Sequence, residues 1–230
     1  MMITAIKRRK LAYPLYAITA EEYALGRSNI EVARDMLAGG VKILQYRQKE
    51  KSNREKRLEC AEIRKMTKNA AATFIVNDDV DIALAVGADG VHLGQNDMPI
   101  EMARELVKEE MIIGLSTHSP RQAQDAITRG ADYIAIGPIF PTQTKKDVCP
   151  AVGLEYLDYA LKNVTIPCVA IGGIKLHNLQ EVLAHGASCV AMITEIVSAP
   201  DIRARIKKIL SQCTMYNVDS LHKSLMINEL

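Results

Sequence analysis

The chain has 230 residues, 48% hydrophobic and 24% charged, and 29 Lys and Arg against 27 Asp and Glu leave a net charge of +2. That is ordinary globular composition and enough chain for a sizeable core, which excludes disorder and collagen-like structure. The longest unbroken apolar runs, Ile82–Val86 and Cys189–Ile193, have five members where a membrane helix needs about 20, and a near-neutral chain without Trp is a poor nucleic-acid platform.

The basic run Lys7-Arg8-Arg9-Lys10 imitates the start of a secretory signal, but the stretch from Leu11 to Ile18 is short, contains Pro14 and runs into Glu21-Glu22. The expectation is a cytoplasmic protein, with residues 1–12 as an N-terminal extension. A first apolar strand spans Pro14–Thr19, and Ser28 with Glu31 forms a capping box before a helix over Ile30–Leu37. Seven more short apolar strands follow, at Val41–Tyr46, Thr73–Val76, Gly90–Leu93, Ile112–Ser116, Tyr133–Ile136, Cys168–Ile171 and Cys189–Ile193. The spacing predicts helices between and after them, at 53–68, 80–86, Ile100–Val107, Pro120–Arg129, Leu154–Leu161, Leu176–Ala184 and Ile202–Leu210. Residues 214–230 read as a peripheral helix or a frayed tail.

A weak internal echo supports this order. Gly87-Ala88-Asp89, Gly130-Ala131-Asp132 and Gly186-Ala187-Ser188 each follow a helical segment and precede an apolar strand, with Ala38-Gly39-Gly40 as a looser copy. Glycine there suits the left-handed end of a helix. Continuous apolar strands fit a parallel sheet buried on both faces. Eight strand–helix units without a linker predict one (β/α)8 TIM barrel over 1–230. A doubly wound sheet is the runner-up, weakened by the lack of a Gly-x-Gly-x-x-Gly turn. The five cysteines, Cys60, Cys149, Cys168, Cys189 and Cys213, form no C-x-x-C pair, so neither disulfides nor zinc are expected.

In such a barrel the chemistry gathers at the C-terminal ends of the strands. Strand two ends in Gln45-Tyr46-Arg47-Gln48-Lys49, whose alternate members share one side and form an anion site, or else a solvated charge run. Strand three ends in Asn77-Asp78-Asp79 and strand four in Gln95-Asn96-Asp97. Carboxylates on neighbouring loops suit Mg²⁺, which completes its shell from substrate phosphates, although Asn and Asp also favour turns. His92, inside strand four, reads as a satisfied interior histidine. Ser116 ends strand five as a polar contact. The loop 137–147 after strand six, with Thr142, Thr144, Lys145 and Lys146, reads as an anion clamp or a polar surface loop. Gly172-Gly173 after strand seven and Ile193-Thr194 after strand eight suit a second, neutral phosphate site built from backbone N–H groups. Two anion sites and a metal suggest transfer with a diphosphate leaving group.

The run Gln45-x-Arg47-x-Lys49, Asn77-Asp78-Asp79 and Asp89-Gly90-Val91-His92-Leu93-Gly94-Gln95-x-Asp97 resembles the thiamine-phosphate synthase family. So do Gly137-Pro138-Ile139-Phe140-Pro141-Thr142-x-Thr144-Lys145 and Ala170-Ile171-Gly172-Gly173-Ile174, and the similarity spans about 12–210. The resemblance implies a barrel enzyme that joins an aminopyrimidine diphosphate to a hydroxyethylthiazole phosphate and releases pyrophosphate. It implies that Arg47, Lys49, Asn77 and Lys145 hold the diphosphate and that Asp78 and Asp97 bind Mg²⁺. Gln45 and Ser116 would contact the pyrimidine, and Thr142 and Thr144 the thiazole phosphate. Gly173, Ile193 and Thr194 would add contacts to that phosphate. Arg47, Lys49, Lys145 and Ser116 are then the expected catalytic residues. Thr194 stands where the family often has Ser, and Gln48 replaces a frequent acidic residue. The alternatives are a thiazole tautomerase of the same fold and a barrel that binds thiamine phosphate without turnover. The partners expected are these small molecules, with no nucleic acid or membrane; a homo-oligomer is compatible with the sequence.

Overall fold

A computed structural model of the chain describes the backbone over residues 2–144 and 149–227, and side chains over 4–144 and 149–216. Eight parallel strands close into a barrel in sequence order. They are β1 (Leu15–Ile18), β2 (Ile43–Tyr46), β3 (Thr73–Asn77), β4 (Gly90–Leu93), β5 (Ile112–Thr117), β6 (Tyr133–Ile136), β7 (Cys168–Ile171) and β8 (Val190–Met192). β8 pairs back onto β1 through Leu15 opposite Val190. The connecting helices are α2 (Asn29–Ala38), α3 (Asn53–Asn69), α4 (Val80–Val86), α5 (Ile100–Val107), α6 (Pro120–Thr128), α7 (Gly153–Asn163), α8 (Leu179–Ala184) and α9 (Thr194–Val197). α1 (Met2–Lys10) precedes the barrel and α10 (Ile202–Ile227) follows it.

Strand parity splits the core in two. Leu15, Leu44, Phe74, Val76, Val91 and Ile134 face outward and pack under the helices. Tyr16, Ile18, Ile43, Ile75, Ile112, Tyr133, Val169 and Ala191 face inward and fill the barrel. The fill is jigsaw-like: a Cβ on Gly114 of β5 would lie 2.1 Å from the Tyr133 ring, so only glycine leaves room for that tyrosine. Ser28 with Glu31 forms the expected capping box, and Ser52 with Glu55 forms a second before α3. Ser119 caps α6 with Pro120 at its first position.

The structure adds detail at both ends and corrects one helix start. The extension forms a helix, α1, and Leu11 after it is buried against the inward-facing residues. α10 runs unbroken through Leu210 to Ile227, so of the two readings of the tail its backbone follows the helical one, as a continuation of the last barrel helix. α8 starts at Leu179 rather than Leu176 because Asn178 holds the preceding turn, accepting from the Lys175 N–H at 2.7 Å and donating to Gly173 O at 3.0 Å.

The echo in the sequence has a counterpart in space. Asp89 accepts from the Phe74 N–H at 2.9 Å, from Arg64 at 2.6 Å and from Lys10 at 2.6 Å. Asp132 accepts from the Ile113 N–H at 2.8 Å, from Arg104 at 2.6 Å and from Lys7 at 3.0 Å. Each repeat aspartate thus ties together the preceding strand, the helix before that strand and α1. The basic run that imitated a signal start is the other half of this seal.

Candidate active site

The C-terminal mouth opens into a cavity of about 690 Å³. Its walls follow from strand parity. Tyr16, Gln45, Asn77, His92, Ser116, Ala135, Ile171 and Ala191 all occupy inward positions and all line it. Beyond the strand ends it is lined by Arg47, Lys49, Asp97, Thr142, Thr144, Gly173, Ile193 and Thr194. Almost every residue expected from the motifs is thereby brought to one space. Asp78 does not line the cavity itself but is ion-paired with Lys49, which does. Lys145 lies outside the described residues.

One side of the mouth is polar and leaves one buried donor without a partner. Arg47 is buried, its backbone N–H donates to Thr19 Oγ1 at 3.0 Å, and a guanidinium nitrogen lies 3.5 Å from Glu22. Its Nε is buried without a hydrogen-bond partner. An unpaired donor on a buried cation suits an incoming anion, because phosphate oxygens would supply the missing acceptor. Lys51 anchors the same loop from behind, bonding Glu59 at 2.6 Å and pairing with Glu21, so the loop is held independently of any ligand.

Asp78 and Asp97 meet across adjacent strand ends. Burial pushes the Asp78 carboxyl above the ordinary carboxylate value, and Asp97 beside it adds to this against the pull of Lys49. Asp78 has φ of 61°, the left-handed region that non-glycine residues seldom adopt, with its N–H held by His92 O at 2.9 Å. Such strain concentrates at functional positions. Asp97 accepts from the Gly94 N–H at 2.6 Å, which fixes its direction. Two hard carboxylates forced together, next to cations that attract phosphate, fit Mg²⁺, which needs only one or two protein ligands. Among the described residues no group of three or more His, Cys, Asp or Glu side chains is placed to hold a metal alone.

Below the mouth, a hydrogen-bonded chain crosses the barrel interior. Gln45 donates to the Tyr16 hydroxyl at 2.8 Å, and that hydroxyl lies 2.9 Å from the Tyr133 hydroxyl. Tyr133 meets His92 Nδ1 at 2.8 Å, and His92 Nε2 meets Ser116 Oγ at 2.9 Å. His92 is therefore the bonded interior histidine expected from its position. Burial holds both phenols above their usual titration range, so they stay neutral donors. Gln45 and Ser116, the two residues expected at the pyrimidine, are the ends of one chain. Tyr16 and Tyr133 were not singled out from sequence; their signal was a tyrosine at an inward position of an otherwise apolar strand.

The opposite side of the mouth is built by glycines. Gly173 has φ of 66°, and a Cβ there would sit 2.7 Å from both Phe140 Cβ and Pro141 O. The loop after β6 can therefore lie directly on the loop after β7. Thr142 and Thr144, whose hydroxyls are 3.0 Å apart, sit on that loop and face the same cavity as Gly173 and Thr194. The side is not neutral, in contrast to the expectation: Lys175 also lines it.

A family model described as thiamine monophosphate synthase matches residues 15–196. The thiamine-phosphate synthase of Pelotomaculum thermopropionicum is 60% identical over 84% of this chain and 88% of its own length. That of Lawsonia intracellularis is 55% identical over 85% of this chain and 90% of its own. The solved thiamine phosphate pyrophosphorylase from Pyrococcus furiosus superposes with a TM-score of 0.81 at 38% identity, covering 89% of this chain and 98% of that one.

Proposed function

The chain belongs to the thiamine monophosphate synthase family, and from that premise we propose how its residues divide the work. The activity is that of a thiamine-phosphate synthase, a transferase that joins an aminopyrimidine diphosphate to a hydroxyethylthiazole phosphate with release of pyrophosphate. What carries the division of roles is the pairing, in one cavity, of a side where the buried Arg47 keeps a donor without a partner with a glycine-built side.

Arg47, Lys49, Asn77 and Lys145 hold the diphosphate, the first through the donor that lacks a partner. Asp78 and Asp97 would hold Mg²⁺, which supplies positive charge to the diphosphate as it departs. Gln45 and Ser116 orient the pyrimidine, each fixed from behind by the tyrosine–histidine chain. The amino group makes that ring electron-rich enough to stabilise a methylene cation once the diphosphate leaves. Arg47 and Lys49 stabilise the charge that develops on the leaving group, which is where preorganised cations lower a barrier most. Thr142, Thr144, Gly173, Ile193 and Thr194 hold the thiazole by its phosphate, with its nitrogen presented to the cation. The protein's part is positioning and charge, with no covalent intermediate on a side chain. A tautomerase would need only the thiazole half of this equipment, and a non-catalytic barrel would not need the carboxylate pair.

The test is an assay of the purified protein with both substrates, with and without Mg²⁺. Thiamine phosphate and pyrophosphate should form in equal amounts and only with the metal. Equal product after thorough chelation would overturn the role of Asp78 and Asp97, and isomerised thiazole alone would overturn the synthase reading.

A further inference from the structure

We infer that Lys175 is a binding residue for the phosphate group at the β7–β8 end of the cavity, giving a positive charge to a site that backbone N–H groups alone would leave neutral. The inference rests on the reading that the thiazole phosphate occupies this end.

Lys175 lies two residues beyond Gly173, on the turn between β7 and α8, and lines the cavity together with Gly173 and Thr194. Its starting point is fixed, because Asn178 accepts from the Lys175 N–H at 2.7 Å and donates to Gly173 O at 3.0 Å. One side chain thus locks the glycine turn and the lysine into a single unit. The Lys175 ammonium donates to Thr194 Oγ1 at 2.6 Å, which holds it beside a residue expected at the phosphate.

Its charge is poorly matched by the protein. Glu195 lies 3.9 Å away, at the outer limit of an ion pair, and is clasped more closely by Arg205. Lysine is a compact charge with three donors, and the bond to Thr194 uses one of them. A third of the side chain is exposed, so the ammonium is neither desolvated nor committed. A dianionic phosphate seated against Gly173 and Thr194 would take the remaining donors without displacing any tight contact. Sequence reasoning missed this residue because lysine just before a helix reads as a solvated charge.

The phosphate is remote from the bond being formed and is bound alike in ground and transition states. Its loss should therefore appear in KM and not in kcat. The experiment compares wild type with Lys175→Met and Lys175→Arg by steady-state kinetics and by inhibition with inorganic phosphate. Lys175→Met should raise KM for the thiazole phosphate, and the inhibition constant of inorganic phosphate competing with it, about tenfold, the loss of one charge-assisted contact. KM for the pyrimidine diphosphate, kcat and the melting temperature should stay within about twofold or two degrees. Lys175→Arg should recover most of the affinity, and Lys175→Met should flatten the dependence of KM on ionic strength. If wild type makes thiamine phosphate but Lys175→Met leaves both constants unchanged, or raises KM for both substrates alike, the inference falls alone. If wild type makes none, the reading of the site falls with it.

Discussion

The two mouths of this barrel are both ringed by charge, yet they differ in how that charge is satisfied. At the N-terminal mouth, Asp89 and Asp132 each accept from a backbone N–H, an arginine and a lysine of α1. At the C-terminal mouth, Arg47 keeps a buried donor without a partner, and Asp78 and Asp97 crowd one another. Arg64 at the N-terminal mouth also keeps a buried Nε without a partner, so the difference lies in the carboxylates. Asp89 and Asp132 are each held by three donors, whereas Asp78 and Asp97 are pressed together, an arrangement that a ligand can complete. The contrast assigns stability to one end and chemistry to the other, as the general rule for these barrels expects.

Asp78→Ala tests the chemical end and should have the largest effect. Removing one of the two carboxylates proposed to hold Mg²⁺, and the partner of Lys49, should lower kcat by about 10²-fold or more. The melting temperature should move little, because relief of the crowded carboxylate is offset by alanine's poorer fit to the left-handed backbone at this position. Kinetics and a thermal melt on the same preparation decide it. Activity near wild type would break the assignment of this mouth to catalysis.

These two ends were not equally legible in the sequence. The eight strands and the shared side of Gln45, Arg47 and Lys49 follow from apolar runs and a two-residue period, both local signals. The glycine-alanine-aspartate echo was legible as a repeat, but its meaning was not. Asp89 meets Lys10 and Arg64 only after closure brings α1 and α3 to one place, and no local pattern encodes that meeting. The same holds for the chain from Gln45 to Ser116, whose members are spread over β1, β2, β4, β5 and β6. The end of the chain was half legible: a helix was one of the two readings of 214–230, and the backbone stays helical from Ile202 through Ile227 without the break expected at Leu210.

Asp89→Asn tests the stabilising end, and a smaller effect is expected. Burial alone would raise the Asp89 carboxyl, but Lys10, the Phe74 N–H and Arg64 together hold it below the ordinary carboxylate value. A depressed folded value means the stabilisation is fully present above the unfolded value near 4 and is lost as pH falls through the folded one. At neutral pH the substitution should cost about 2 kcal/mol, the scale of hydrogen bonds to a charged group. Denaturant melts should show the gap between wild type and variant closing below about pH 4, where the wild-type carboxylate takes up its proton. Turnover per folded molecule should be unchanged. A gap that persists undiminished in acid would mean packing, not charge, holds this mouth.

Tyr133→Phe probes the interior between the two ends and should show both effects, each small. The hydroxyl joins Tyr16 to His92, so its loss strands a buried donor or acceptor on either side. Stability should fall by about 1 kcal/mol, the cost of one buried hydrogen-bonding partner. His92 would then be held only from its Ser116 side, and the imidazole could turn. Ser116 would lose its fixed direction, raising KM for the pyrimidine diphosphate about threefold while leaving that for the thiazole phosphate alone. That asymmetry is the useful readout, since general loosening of the barrel would raise both constants. Tyr16→Phe should act through Gln45 in the same direction, so the double variant should cost less than the sum of the two if the chain works as one unit.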